Sequence, residues 1–138
     1  MKVAVITPYY KESIDILKKC HDSVTKQSYK CLHVMIADGF PQSDINEWNA
    51  DHIVLPKPHN DIGSTPRLIG CYYAIGLGYD AVAFLDADNW FREDHIEQLI
   101  ELYKTTNAVF LSSSRMLCRL DGTEMAKCNL IDPEKFID

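Results

Sequence analysis

The chain has 138 residues, of which 46% are hydrophobic and 25% are charged, and its formal net charge is −6. These proportions are typical of an ordinary globular domain, and the length predicts one domain over residues 1–138. Because the net charge is negative and the sequence has no basic stripe, its composition argues against a nucleic-acid partner.

Targeting and cysteine signals predict a cytoplasmic protein. Residues 1–6 are followed at once by Pro8 and charged residues, so no signal peptide fits. No apolar run approaches the roughly 20 residues of a membrane span. The cysteines show no C-x-x-C spacing, which favours reduced, buried thiols, and the spacing of His52, His59 and His95 does not suggest zinc. A membrane-bound acceptor would be reached from the cytoplasm.

Apolar runs predict strands at residues 2–8, 32–37, 53–55, 80–85 and 108–112, the last of which could extend to 117. Asp121-Gly122 predicts a hairpin turn between residues 116–120 and 123–126. A short helix is expected from Ser43 or Asp44 to about residue 49.

Three longer helices are predicted between the strands. The apolar stripes that define them are Ile14, Leu17, His21 and Val24; Leu68, Tyr72 and Ile75; and Ile96, Leu99, Ile100 and Tyr103. Ser64 or Thr65 is expected to cap the second helix, with Pro66 at its first position. Alternation of strands and helices predicts an α/β fold, a three-layer α/β/α sandwich with a mostly parallel sheet.

The most informative motif is Asp86-Ala87-Asp88, which directly follows an apolar strand. Two carboxylates one residue apart repel each other unless a cation or hydrogen-bond donors lie beside them. Carboxylate oxygens suit a hard cation, so we expect Mn²⁺ or Mg²⁺, held in part by a substrate diphosphate.

Other polar and aromatic residues are expected at the same sheet edge, because ligands of parallel sheets bind outside the carboxyl ends of the strands. They are Pro8, Tyr9 and Tyr10 after the first strand, Asp38 after the second, and the loop from Gly63 to Arg67 before a helix. Together they offer an aromatic surface, a carboxylate and a cation. This combination fits a nucleotide diphosphate.

Plainer interpretations exist for each of these residues. Asp-x-Asp after a strand can be a turn with a helix cap, and Asp38-Gly39 can be a simple turn. Tyr9 and Tyr10 can be rim aromatics, and Arg67 can form a surface ion pair. Trp90 can shield a donor sugar or pack on the following helix.

Four stretches resemble GT-A glycosyltransferases of family two. They are residues 3–10 (VAVITPYY), 23–29 (SVTKQSY), 36–39 (IADG) and the metal motif at 84–89 (FLDADN). The resemblance implies the Rossmann-like nucleotide-binding half of that fold, with Pro8, Tyr9 and Asp38 lining the nucleoside pocket and Asp38 recognising the base.

The same resemblance assigns the donor and metal contacts. It implies a donor-side role for Arg67, a ribose or sugar contact for Asp86 and a metal-ligand role for Asp88. Two residues depart from the pattern: Ala37 replaces the first of two paired aspartates, which loses one carboxylate, and Lys11 replaces the usual asparagine, which affects donor preference.

The function implied is a metal-dependent glycosyltransferase that uses a nucleotide-diphosphate sugar, a UDP-hexose such as UDP-glucose, with inversion and with an unknown acceptor. The alternative is a nucleotide-sugar-binding module without transfer activity or with only slow donor hydrolysis. The acceptor-binding half that usually follows is short or absent, and we expect a minimal protein rather than a fragment. Candidates for the missing catalytic base are Glu124, Asp132 and Glu134.

Other classes fit the sequence less well. A dehalogenase-type phosphatase would have Thr or Val after the motif instead of Asn89, and no phosphate-binding glycine loop is present. An exposed sheet edge, or the hairpin at residues 116–131, would allow two chains to pair as a homodimer.

Overall fold

A computed structural model describes residues 1–119 and 121–128 of the chain. Its strands are β1 (Val3–Tyr9), β2 (Cys31–Asp38), β3 (Asp51–Leu55), β4 (Ala81–Phe84), β5 (Arg115–Cys118) and β6 (Glu124–Cys128). Its α-helices are α1 (Ile14–Thr25), α2 (Ser64–Gly76) and α3 (His95–Thr106), and a 3₁₀ helix spans Ser43–Glu47.

The main sheet has the strand order β3-β2-β1-β4, and all three pairings are parallel. Strand β1 is buried along its whole length, as expected for a mostly apolar strand that is covered on both faces. The predicted α/β class with a mostly parallel sheet is therefore confirmed.

Helices cover both faces of this sheet, which confirms the three-layer sandwich. On one face, Val3 and Val5 of β1 share a core cluster with residues of α1 and α3. The alternate residues Ala4 and Ile6 share a cluster with Ala74 of α2 on the opposite face. The period of two along a strand separates the two cores in this way.

Helix α2 packs on the sheet through its small residues, so the predicted inward stripe is wrong. Leu68, Tyr72 and Ile75 are 56%, 67% and 63% exposed, whereas Gly70 and Ala74 are buried. A Cβ atom added at Gly70 would lie 2.6 Å from Cγ2 of Ile6. The absence of that atom brings the helix backbone close to β1.

The start of α2 also differs from the prediction, which made Ser64 or Thr65 its cap. Gly63 precedes the helix with φ +79°, and Pro66 is its third residue rather than its first. The side chain of Asp61 accepts hydrogen bonds from the backbone N–H of Thr65 (2.9 Å) and from its hydroxyl (2.5 Å). The capping function therefore falls to a residue upstream of the predicted ones.

Two further element predictions need correction. The short helix predicted to reach residue 49 is a 3₁₀ helix that ends at Glu47, and its N-cap is Gln42, which makes no side-chain capping hydrogen bond, rather than Ser43 or Asp44. The strand predicted at residues 108–112 does not form, because no pairing to these residues exists in the described part of the chain; Val109 is fully exposed.

The chain divides into two compact units, Met1–Glu101 and Leu102–Asp138. The first contains the four-stranded parallel sheet. In the second, β5 and β6 pair antiparallel around the predicted Asp121-Gly122 turn, where Gly122 has φ +90°. The hairpin prediction is thus confirmed.

A buried histidine pair lies between α1 and the sheet. Nδ1 of His21 and Nδ1 of His33 are 2.9 Å apart, and Nε2 of His33 is 2.9 Å from the hydroxyl of Thr7. Burial, and to a smaller extent the neighbouring His21, lower the pKa of His33 to about 3. His33 is 2% exposed, and with this pKa it stays neutral at physiological pH.

We predict that Gly70→Ala destabilises the fold, because its Cβ would collide with Ile6 and would lie 3.0 Å from Cδ1 of Ile36. Overpacking of this kind costs about 1–3 kcal/mol. Gly76→Ala is the matched control, since no atom lies within 4 Å of its added Cβ. Urea denaturation should give a lower midpoint for Gly70→Ala only; equal midpoints for both variants would contradict the close packing.

We also predict that stability falls as the pH drops below 6.5. Between pH 6.5 and about 3, the unfolded chain binds a proton at His33 that the folded chain does not, so acidification favours unfolding. The dependence is at most about 1.4 kcal/mol per pH unit for this group. In His33→Gln, the slope of unfolding free energy between pH 5 and 6 should decrease by roughly one proton's contribution. An unchanged slope would show that His33 is not the group responsible.

Candidate nucleotide and metal site

The candidate site lies where the strand order reverses. Strand β1 has β2 on one side and β4 on the other, so the chain adds β2 and β3 on one side of β1 and then crosses back to add β4 on the other side. In open α/β sheets this switch point forms a crevice at the carboxyl ends of the strands. Asp38 ends β2, and Asp86 follows β4 by two residues, which brings both carboxylates to this edge.

A tight turn shapes the Asp86-Ala87-Asp88 motif. The backbone N–H of Asn89 donates to the carbonyl of Asp86 at 2.9 Å, and Ala87 is buried between the two acidic residues. From α1, the thiol of Cys20 donates to the same carbonyl at 3.8 Å, and burial raises its pKa to about 12. The thiol therefore stays protonated, and the motif is anchored to the core through its backbone.

Arg67 of α2 connects the motif to the loop before that helix. Its Nη2 donates to Oδ1 of Asp86 at 2.5 Å, and its Nη1 donates to the carbonyl of Ile62 at 2.8 Å. Arg67 therefore does form an ion pair, but with a carboxylate of the motif rather than with an unrelated surface residue. The cation expected near the donor phosphates lies at the sheet edge.

Asp88 is exposed at the turn, whereas the side chain of Asp86 is 46% exposed and shared with Arg67. Among the residues that the structure describes, no group of three metal-binding side chains is present. Mg²⁺ is usually bound by one or two protein carboxylates, while water and phosphate oxygens fill most of its coordination positions. The donor set therefore fits a metal that binds together with a diphosphate.

Asp38 is nearly buried and is held by His59. The backbone N–H of His59 lies 3.2 Å from each carboxylate oxygen, and its Nδ1 lies 2.6 Å from Oδ1. The side chains of Asp38 and His59 are 9% and 26% exposed. Because a carboxylate only accepts hydrogen bonds, Nδ1 of His59 must carry a hydrogen.

Tyr9 is a core residue and not part of an exposed aromatic surface. It is 2% exposed, and its hydroxyl lies 2.7 Å from Nε2 of His52 and accepts from the N–H of Gln42. Burial raises its pKa, so the hydroxyl stays protonated. Of the two predicted tyrosines, only Tyr10 presents its ring to solvent.

Tyr10 forms an exposed cluster with Phe40 and Lys11, which were not predicted as site residues from the sequence. Its ring meets Phe40 edge-on with 4.8 Å between centroids. Nζ of Lys11 lies 4.9 Å from the Tyr10 centroid and 4.4 Å from the Phe40 centroid. The strand ends of β1 and β2 thus supply an aromatic surface and a second cation.

The loop from Asn60 to Gly63 has an unusual backbone. Asn60, Ile62 and Gly63 all have positive φ, which is rare for a β-branched residue such as Ile62. The side chain of Ile62 is also 95% exposed. A Cβ at Gly63 would lie 2.9 Å from Nη1 of Arg67 and 3.3 Å from Cγ of Pro8. Gly63 therefore lets the loop close on Arg67 and on the end of β1.

Trp90 lies beside α1. Nζ of Lys19 is 3.5 Å from the centroid of its ring, a cation–π contact, and both residues line a surface groove of about 460 Å³. Its role toward a donor sugar remains a prediction, as do the ligand contacts of Pro8, Gly63 and the other residues expected in the site.

Of the three candidate bases, only Glu124 lies among the residues that the structure describes. Glu124 is the first residue of β6, in the second compact unit. Asp132 and Glu134 lie outside the described residues.

The partner of Asp38 is the main site feature that the sequence analysis missed. His59 was considered only for zinc, although β3 pairs in parallel with β2 and the chain leaves it at the same edge. That topology was the available signal: a polar residue shortly after β3 must pass close to the end of β2.

The fold is similar to that of TarS from Staphylococcus aureus. One structure of TarS aligns with 86% of this chain and 21% of its own, at a TM-score of 0.61 and 19% identity. A structure of TarS 1–349 in complex with UDP aligns with 88% of this chain and 43% of its own, at a TM-score of 0.62 and 16% identity. At these identities the likeness establishes the fold alone.

Sequence relatives lead to a family. The glycosyltransferase GlyA of Streptococcus pneumoniae is 30% identical over 106 residues, 71% of this chain and 14% of GlyA. An uncharacterized glycosyltransferase of Rickettsia conorii is 30% identical over 121 residues, 82% of this chain and 19% of the relative. The chain thus spans less than a fifth of these relatives. The family model for glycosyl transferase family 2 matches residues 4–137, nearly the whole sequence. Together with the fold and the motif, this match identifies the chain as a member of glycosyl transferase family 2.

Proposed function

We propose that the chain is a metal-dependent glycosyltransferase domain that binds a nucleotide-diphosphate sugar, a UDP-hexose, and transfers the sugar to an acceptor. The observation that carries the proposal is the grouping of Asp38, the Arg67–Asp86 pair and Asp88 at one sheet edge of a family 2 chain. The UDP complex of TarS, which shares the fold, supports a uridine nucleotide as the donor.

The donor would lie across the crevice. Asp38 accepts a hydrogen bond from the base, and Tyr10 with Phe40 offers the apolar surface beside it. Arg67 is close enough to Asp86 to be shared between that carboxylate and a diphosphate oxygen. Arginine suits this role because its guanidinium has five donors in a fixed plane.

Asp88 would hold Mn²⁺ or Mg²⁺, which when bound supplies positive charge to the leaving diphosphate. The residues of the chain contribute the remaining steps: Arg67 stabilises the same developing charge, and Asp86 contacts the donor's ribose or sugar. Such fixed charges aimed at the leaving group are a large part of enzymatic catalysis.

Transfer also needs a base that accepts the proton of the acceptor hydroxyl. Glu124, Asp132 and Glu134 remain the candidates, and attack on the face opposite the diphosphate would invert the anomeric centre. If none of them reaches the acceptor, the chain binds the nucleotide sugar, or hydrolyses it slowly, without transferring the sugar. The family relatives are several times longer than this chain, so the experiment below also tests whether the chain only binds or slowly hydrolyses the nucleotide sugar.

We predict that the full chain with Mn²⁺ releases UDP from UDP-glucose and that Asp88→Asn reduces the rate about 100-fold or more, since it removes the metal ligand. UDP release is measured with a coupled assay. Asp22→Asn is the control, because its exposed carboxylate on α1 pairs only with Lys18 in the described structure. Donor binding without UDP release would favour the binding module. Equal Mn²⁺-dependent affinity for UDP in the wild type and Asp88→Asn would refute the metal assignment.

We further predict that Arg67→Met weakens UDP binding about tenfold or more, the loss of one charge-assisted hydrogen bond. Uridine, which lacks phosphates, should bind the variant as it binds the wild type. Calorimetric titration of both ligands gives the comparison, and Arg67→Lys should retain part of the UDP affinity because it keeps the charge. An equal loss for UDP and uridine would place Arg67 outside the diphosphate subsite.

A further inference from the structure

The carboxylate of Asp38 depends on a single neighbouring residue. It is nearly buried, and a buried charge is costly unless hydrogen bonds compensate it. Every hydrogen bond to this side chain in the described part of the chain comes from His59, through its backbone N–H and its ring. His59 therefore determines the direction in which the Asp38 carboxylate points.

The bonds to the two carboxylate oxygens are unequal. Oδ1 receives the short ring contact of 2.6 Å in addition to a share of the backbone N–H, whereas Oδ2 receives only the shared N–H at 3.2 Å. A carboxylate has about four acceptor positions, so Oδ2 retains capacity for another donor. The arrangement leaves one oriented acceptor oxygen at the edge of the sheet.

The position of His59 is itself fixed by the turn after β2. Gly39 has φ +86°, and a Cβ added there would lie 2.5 Å from the nitrogen of Pro58 and 2.8 Å from the carbonyl carbon of Lys57. The segment before His59 thus lies directly against the residue after Asp38. Little room exists for either partner to shift alone.

We infer that His59 is a positioning residue that sets nucleobase discrimination: it orients Asp38 so that Oδ2 accepts the imide N–H of a uracil base. The inference rests on the proposed function and concerns the same site. Its specific claim is that discrimination against a base without this N–H depends on the hydrogen bonds that His59 donates. If the His59 ring only stacked on the base, loss of its hydrogen bonds to Asp38 would not change this discrimination.

The test compares UDP with N3-methyluridine diphosphate, whose base lacks the imide hydrogen, by calorimetric titration of the full chain with Mn²⁺. The wild type should prefer UDP by about 10- to 100-fold, the range for a hydrogen bond to a charged group. His59→Phe keeps an aromatic ring but loses the ring donor, so its preference should fall to less than about threefold. His59→Asn places an amide donor near the position of Nδ1 and should retain the wild-type preference.

His95→Phe is the matched control, since His95 is a partly buried histidine on α3 that stacks on Phe91, with 4.2 Å between centroids. It should keep the wild-type preference. If circular dichroism shows that His59→Phe is not folded, His59→Ala takes its place as the donor-free variant.

The outcomes separate this inference from the proposed function. A wild type that binds neither nucleotide contradicts the proposed function itself. A wild type that binds UDP but does not discriminate, or a His59→Phe variant that discriminates as well as the wild type, overturns the role of His59 and leaves the proposed function standing. Equal losses for both nucleotides in His59→Phe would assign His59 a purely structural role and overturn the inference as well.

Discussion

The parallel pairing of β1 with both β2 and β4 is the constraint on which the rest of the structure depends. Seven consecutive buried residues give β1 neighbours on both edges and helices on both faces. The strand order reverses between β1 and β4, and in open α/β sheets a crevice forms at the carboxyl ends of the strands at such a point. All the charged groups assigned to the site lie where this constraint brings strand ends together.

Within that crevice, acidic groups are stabilised by individual partners rather than by the field of the molecule, which carries a net charge of −6. Asp38 has His59, and Asp86 has Arg67. Asp61 has Thr65, whose hydrogen bonds lower the pKa of its carboxyl. One oxygen of Asp61 is buried without a partner in the described structure. Asp88, in contrast, is exposed.

Patterns within one element predicted most of the fold, whereas contacts between elements were harder to predict. The strands β1 to β4 and the helix α1 follow from apolar runs and a 3.6-residue period. The 3.6-residue period predicted the wrong packed face for helix α2, because Gly70 and Ala74 face the sheet and the largest apolar residues face outward. Hydrophobic periodicity assumes that large residues point inward, which fails where a helix backbone approaches a sheet closely.

For the candidate site, too, features within one element were easier to predict than contacts between elements. The carboxylates at strand ends could be placed from sequence, because parallel topology fixes which ends share an edge. The partners of those carboxylates were harder to place: parallel pairing of β2 with β3 brings the residues after β3 near Asp38, but the contact with His59 itself depends on the path of a loop and on a glycine with positive φ. Residues 108–112 show the opposite error: their β propensity is local, but a strand needs a partner, and the described residues supply none.

The contact between Gly39 and Pro58 also limits how this part of the chain can vary in length. With the two backbones this close, the turn after β2 and the connection after β3 form one unit, although 19 positions separate them in the sequence. An insertion in either loop would force the other to move. Surface loops usually tolerate insertions and deletions. These two loops can change only together, so a graft of this edge of the sheet onto another scaffold would have to transfer both segments.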